Sequence, residues 1–361
     1  MPEAEIIPLG TRGKPGRGSG SSSPSKAARS LAPADRRSRP RPGAADAPTL
    51  QEPPPAGEEP TAPDEAAQRT AHEHDFGPAV PDAAQGAGDP VAHALAFLRR
   101  RITGDYEVDE LGFDADLTSK VLMPLLRPLA EKWFRIEVRG LENIPDEGGA
   151  LLVANHSGTL PVDALMTSLV VHDHAGRYLR ALGADLVFTL PFVSELARKG
   201  GVTLACGDDA ERMLAGGELV GVWPEGFKGV GKPYAERYKL QRFGRGGFVS
   251  AAIRTGAPIV PCSIVGAEEI YPMIGNVPWL ARLLGLPYLP ITPLFPWLGP
   301  LGLVPLPSKW VIEFGEPIRT DDYSDGAADD PMLVFNVTDQ VRETIQQTLY
   351  TLLMHREHVF Y

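Results

Sequence analysis

Two cysteines in 361 residues are too few for a disulfide framework or a four-ligand zinc site. Both, Cys206 and Cys262, stand in apolar strand-like runs, where a small buried thiol in a reducing compartment is the expected state. No apolar run reaches the roughly 18 residues that a membrane-spanning helix needs. About the first 30 residues lack the apolar core of a secretory signal, so a cytoplasmic chain is expected. Basic charge is not in excess either: 35 Lys and Arg stand against 46 Asp and Glu, a net charge of −11, which argues against nucleic acid as a partner. A Gly-x-Ser-x-Gly turn, which presents the serine nucleophile of many esterases, is absent.

What is present divides unevenly. Residues 1–90 are rich in Pro, Ala, Gly and Ser and poor in aliphatic and aromatic side chains, so they cannot bury enough apolar area to offset ordering entropy, and a disordered tail is expected. Its basic stretch Arg36-Arg37-Ser38-Arg39-Pro40-Arg41 has the charge to touch anionic head groups, at about 1 kcal/mol per residue near a surface. His72-Glu73-His74-Asp75 has metal-ligand residue types but no distant partner. Residues 91–135 carry two amphipathic patterns, Val91 to Arg101 and Leu117 to Phe134, whose apolar, aromatic and basic mixture suits either a membrane interface or packing on the following domain.

From 136 onward strands and helices alternate. Strands are predicted over Trp133–Arg139, Gly149–Val153, Arg177–Leu182, Val202–Ala205, Leu219–Trp223, Pro258–Val265 and Lys309–Phe314. Helices are predicted after Pro161, over Pro191–Lys199, from an Asp208 cap, over Phe248–Thr255 and from Pro331 to about Arg356. The expected fold class is α/β, a mixed sheet flanked by helices, with 136–361 as the catalytic domain. Ligands in such sheets sit beyond the carboxyl ends of the strands. The stretch 277–307 is the most apolar, and its prolines forbid one long helix; exposed it would mark a membrane or acyl-chain surface, buried it would cap the core, and a hydrophobic lid or acyl tunnel is the favoured reading. His172-Asp173-His174 is read as a solvated loop.

Chemistry concentrates in Ala154-Asn155-His156-Ser157-Gly158-Thr159-Leu160-Pro161-Val162-Asp163, a polar turn between an apolar strand and an apolar-periodic helix. A neutral imidazole there can take a hydroxyl proton, and a carboxylate on its far nitrogen fixes the tautomer. On one continuous helix His156 and Asp163 would stand about 10 Å apart. The pair therefore requires Ser157 to Leu160 to form a loop and Asp163 to lie in the first helical turn, which Gly158 and Pro161 favour.

About 70 residues later comes Val222-Trp223-Pro224-Glu225-Gly226-Phe227-Lys228. The two blocks in this order resemble the glycerolipid acyltransferases of the lysophosphatidate type, over about residues 120–318. That family has an Asn-His-x4-Asp block and a Pro-Glu-Gly-Thr-Arg block, where this chain has Phe227 and Lys228 and a wider His-to-Asp interval, similar to the monoacylglycerol and diacylglycerol acyltransferase-like branch. The resemblance implies an acyl group moving from a thioester, on coenzyme A or a carrier protein, to a lipid hydroxyl acceptor. His156 and Asp163 would be catalytic, Glu225, Gly226, Phe227 and Lys228 acceptor-binding, and Asn155, Ser157 and Thr159 further substrate contacts; Arg180, near the end of its predicted strand, is read either as facing the acyl donor's phosphates or as an exposed structural arginine. It implies no metal or cofactor, a membrane surface as partner and a peripheral membrane location. Gly201 to Gly207 lacks the arginine with which lysophosphatidate enzymes help bind a phosphate. A hydrolase and a catalytically degenerate lipid-binding protein are the other readings. Gly226 to Pro233 nearly spells a phosphate-binding loop, but Pro233 supplies neither the hydroxyl nor the N–H that such a loop needs.

Overall fold

The computed structural model describes residues 74–75 and 90–360, apart from Arg245 and Asp325. The remainder of the expected tail, with Arg36 to Arg41, lies outside the described residues. Strands β1 (His74–Asp75), β2 (Glu137–Arg139), β3 (Ala150–Ala154), β4 (Leu179–Gly183), β5 (Thr203–Leu204), β6 (Leu219–Val222) and β7 (Ile259–Val265) belong to one sheet. A separate antiparallel pair follows, β8 (Gly275–Asn276) and β9 (Pro290–Ile291), before β10 (Val311–Phe314) rejoins the sheet. Its order is β1-β2-β10-β7-β3-β6-β4-β5. From β7 to β5 neighbouring strands run parallel, and β10 runs antiparallel to β7.

The helices are α1 (Pro90–Thr103), α2 (115–134), α3 (Val162–Ala175), α4 (Asp185–Thr189), α5 (Val193–Lys199), α6 (Gly207–Ala215), α7 (Phe227–Val230), α8 (Gly247–Thr255), α9 (Pro278–Leu283) and α10 (Pro331–His355). No helix among the described residues is long and apolar enough to cross a membrane.

A parallel strand covered on both faces reads as a continuous apolar run, and β3, Ala-Leu-Leu-Val-Ala, is buried at all five positions. The pleat sends alternate side chains to opposite layers. Ala150, Leu152 and Ala154 join a core with Phe134, Met166, Leu169 and Val170 of α2 and α3. Leu151 and Val153 join a second core with Met213 of α6, Val249 of α8 and Val341, Ile345 and Leu349 of α10. The last three are fully buried at a spacing of four residues, each contributing about 1.5–3 kcal/mol relative to exposure. Asp330 caps α10 by accepting from the Met332 N–H at 2.9 Å, with Pro331 opening the helix.

Several expectations change. Trp133 and Phe134 end α2 rather than begin a strand, because Phe134 stacks on Trp310 at 4.5 Å between ring centres and is buried in the core. Pro124 and Pro128 remove two ladder donors from α2, and wide turns close over i→i+5, from Met123 N–H to the Thr118 carbonyl and from Arg135 N–H to Ala130. His172 to His174 form the last turn of α3, not a loop: Asp173 accepts a bidentate pair from Arg127 at 2.7 and 2.8 Å, tying α3 to α2. Burial raises the Asp173 carboxyl, but the bonds from Arg127 and His172 outweigh it and hold the pKa down at about 2. Cys206 is exposed at the α6 cap position predicted for Asp208, while Cys262 is buried in β7, where burial pushes its thiol up.

The stretch 277–307 forms an excursion between β8 and β10 and keeps much of its apolar surface outside: Trp279, Leu283, Trp297 and Leu301 are all exposed. A closed lid or tunnel would bury them.

Candidate active site

At the carboxyl end of β3 the chain leaves the sheet through 155–161 and enters α3 at Val162, so Asp163 lies in the first helical turn. Gly158 turns the loop at φ +88°, where a Cβ would also stand 2.7 Å from the Ala267 carbonyl, so only glycine fits. This brings Asp163 Oδ2 to 2.8 Å from His156 Nδ1. The widened interval thus still makes a pair, by the loop-then-helix route.

The Asp163 carboxylate is fully buried and also accepts from the backbone N–H of Ser157 at 2.8 Å and of Ala164 at 2.9 Å. Three donors converging on an ionised carboxylate fix its position. With Asp163 accepting at Nδ1, the proton of neutral His156 sits there and Nε2 keeps its lone pair. The imidazole side chain is 15% exposed, so the basic nitrogen is within reach of a ligand while its partner is sealed. The arrangement suits abstraction of a proton from a hydroxyl.

Glu225 follows β6 and reaches back under the same turn. Its Oε1 accepts the His156 N–H at 2.9 Å, its Oε2 the Gln241 N–H at 2.6 Å, and Lys232 Nζ lies 3.5 Å from Oε2. The side chain is fully buried. Its geometry differs from the expected acceptor contact: both oxygens are bonded to protein groups, and what the carboxylate holds is the backbone of the His156 turn. Lys232 is equally buried and pairs with Glu268 Oε1 at 3.2 Å, which also accepts the Tyr238 N–H at 2.9 Å. Burial, aided by the Glu225 charge and opposed by Lys232, pushes the Glu268 carboxyl up to about 7. The lysine of the near phosphate-loop motif is thus an internal counter-ion, and Gly229 packs on His156 so closely that a Cβ would stand 2.8 Å from its carbonyl oxygen.

Gly226, Phe227 and Lys228 are exposed at the same end of the sheet. Phe227 and Lys228 line a groove of about 370 Å³ together with Lys232, Gln241 and Tyr288. The Tyr288 hydroxyl donates to the Thr159 carbonyl, tying the groove wall to the His156 loop. Asn155 is fully buried and exchanges two bonds with the Ile264 peptide, at 2.8 and 3.0 Å, which locks the turn onto β7. Thr159, at φ +63°, donates to the Tyr271 carbonyl at 3.3 Å. The Ser157 hydroxyl and the Trp223 indole N–H are buried with no hydrogen-bond partner among the described residues, the Trp223 ring centred 6.0 Å from that of His156.

Arg180 does not join this cluster. It is buried in β4, 2.7 Å from Asp109 and 3.3 Å from Glu218, with its guanidinium 4.7 Å from the centre of the Phe113 ring. Three residues that build the site, Gln241, Glu268 and Tyr288, were not singled out for it from sequence. Glu268 had a local signal, an acidic pair shortly after an apolar strand; the other two are placed by long-range packing. Among the described residues no three His, Cys, Asp or Glu gather as a metal site.

A family model described as Acyltransferase matches residues 135–265, a span that holds both the His156 turn and the Glu225 turn. An uncharacterised protein of Mycobacterium tuberculosis is 64% identical over 273 residues, 75% of this chain and 76% of that one. A human protein named as a DGAT1/2-independent enzyme synthesizing storage lipids is 28% identical over 170 residues, 46% of this chain and 52% of its own. Among solved structures, the 1-acyl-sn-glycerophosphate acyltransferase PlsC of Thermotoga maritima matches 73% of this chain and 88% of its own at 18% identity, with a TM-score of 0.44. On its family match and its relatives, this chain belongs to the glycerolipid acyltransferases.

Proposed function

We propose that the protein transfers a fatty acyl group from a thioester to the hydroxyl of a lipid acceptor, with His156 as the general base. The observation that carries this reading is the 2.8 Å contact between His156 Nδ1 and the sealed Asp163 carboxylate, which turns the lone pair of a neutral imidazole to Nε2 on a side chain that is 15% exposed. His156 Nε2 takes the acceptor proton as the hydroxyl oxygen attacks the thioester carbonyl; the tetrahedral intermediate then expels the thiolate, and the imidazolium returns the proton to sulfur. Asp163 stabilises the imidazolium between these steps. A thioester is already activated, so the reading calls for no metal, cofactor or covalent enzyme intermediate.

The backbone N–H groups of His156 and Ser157 are consumed by Glu225 and Asp163, so oxyanion stabilisation falls to other donors of the loop. Lys228, exposed on the groove, is the cation available to an acceptor's phosphate. Glu225 supports the reading as the brace of His156 rather than as a ligand for glycerol hydroxyls.

The test supplies purified protein with labelled long-chain acyl-coenzyme A and offers lysophosphatidate, a lysophospholipid and monoacylglycerol in parallel. Labelled product from at least one acceptor is expected. Product from a phosphorylated acceptor that disappears in Lys228→Ala assigns that lysine to the phosphate; product from monoacylglycerol alone places the chain in the diacylglycerol-forming branch. Free fatty acid with no acylated lipid would make the protein a hydrolase instead.

A further inference from the structure

The excursion 277–307 carries one charged residue, Arg282, and no acid, in a chain whose net charge is −11. Six of its large apolar side chains are turned to solvent: Trp279, Leu283 and Leu284 on and after α9 are 67%, 75% and 57% exposed, and Trp297, Leu298 and Leu301 are 72%, 53% and 69% exposed. Its fully buried residues are small or bonded: Ala281 and Thr292 are buried, and Gly302 closes on Leu294 and Phe295, where a Cβ would stand 2.8 Å from the Leu294 carbonyl. An exposed apolar surface of this extent on a folded chain marks an interaction face.

The base of the excursion is fixed. The β8–β9 pair closes its neck, and Tyr271 donates to the Leu303 carbonyl at 2.6 Å. Trp133 at the end of α2 donates to the Pro305 carbonyl at 2.9 Å, and Tyr288 is bonded to the His156 loop. The apolar face is therefore held on a rigid mount whose inner side, through Pro287 and Tyr288, is a wall of the groove beside the site.

We propose that this excursion is the surface by which the protein docks on a lipid bilayer, with Trp279 and Trp297 at the level of the head groups. The inference rests on the lipid-hydroxyl reading above, since it makes the groove open where acyl chains are. Tryptophan, leucine and a lone arginine without acids is the composition that an interface with anionic lipid accepts, because indoles favour the head-group level and no carboxylate is repelled. Apolar burial dominates with a single cation, so binding of this face resists salt, whereas binding through the basic segment Arg36 to Arg41 is screened.

The test floats the full chain with vesicles of phosphatidylcholine and phosphatidylglycerol in about 0.5 M NaCl, where the Debye length is only a few ångströms. The wild type is expected in the top fraction, and its tryptophan emission shifts to the blue. The triple variant Trp279→Ser, Trp297→Ser, Leu301→Ser is expected to bind at least about ten-fold more weakly, with an unchanged melting temperature because the three side chains are exposed. The pair Trp279→Phe, Trp297→Phe keeps apolar area, so it still floats but loses the spectral shift, which shows that these indoles enter the lipid even if the triple variant folds poorly. Wild type left in the bottom fraction, a triple variant that floats equally well, or a blue shift that survives both Phe changes would overturn the proposal. So would gel filtration showing a wild-type dimer and a variant monomer with no flotation of either, since the face would then join two copies. Flotation is read without any thioester, so a protein that floats and transfers no acyl group refutes the proposed reaction and leaves the docking face standing.

Discussion

Replacing Asp163 with Asn is expected to lower kcat for acyl transfer by about 10³- to 10⁴-fold while leaving KM for the thioester within a few-fold. The asparagine oxygen in the Oδ1 position can still accept from the Ala164 N–H, while the Ser157 N–H, which shares Oδ2 with His156, loses its acceptor. The asparagine NH₂ group, however, would face His156 Nδ1 and force that nitrogen to accept. The imidazole would then carry its proton on Nε2, where the acceptor hydroxyl has to be deprotonated. The variant loses a buried charge-assisted contact as well, so a stability loss of about 1–3 kcal/mol accompanies the kinetic effect. Rates are therefore compared at a temperature where circular dichroism shows the variant folded. A folded Asp163→Asn protein within ten-fold of wild-type kcat would reduce Asp163 to a brace of the loop.

The second large effect is on stability. Lys232→Met leaves Glu225 and Glu268 buried without their cation, and breaking a buried pair from one side costs about 3–5 kcal/mol. Glu268 gives the loss a pH dependence. Its folded-state pKa, raised to about 7 from an ordinary 4.5, means that the folded protein holds the proton more tightly than the unfolded chain. That contribution is complete below about 4.5 and is lost as pH rises through about 7. In the variant the ionised carboxylate meets no counter-charge, so the loss measured by urea unfolding is expected to be larger at pH 8 than at pH 5. Because Glu225 supports the His156 backbone, kcat falls too. A loss independent of pH would mean that Glu268 stays ionised throughout and that the three side chains do not share charge as described.

The parts of this architecture set by local pattern were legible in the sequence. The apolar run of β3, Gly158 and Pro161 between strand and helix, and Asp163 just inside α3 point to the His–Asp pair from local pattern alone, including the condition under which a seven-residue interval works. The span of α10 and the buried strand β7 were equally plain. Parts decided by distant partners were not. Nothing beside Glu225 shows that Gln241, sixteen residues on, takes one of its oxygens, so an inward brace reads as an acceptor contact. Arg180 stands in a strand among residues of the site region, yet Asp109 and Glu218 draw it into a structural ion pair. Trp133 and Phe134 have strand-forming side chains, and packing of Phe134 against Trp310 overrides that preference.

The reaction itself is tested most directly by one comparison: labelled acyl-coenzyme A and the preferred lipid acceptor, given to the wild type and to His156→Ala at equal concentration. Removal of a general base lowers the rate by about 10²- to 10⁴-fold. Acylated lipid formed by the wild type and reduced to that extent or below detection in the variant, with an unchanged fold, is the expected result. Transfer at the wild-type rate by His156→Ala would contradict the mechanism outright.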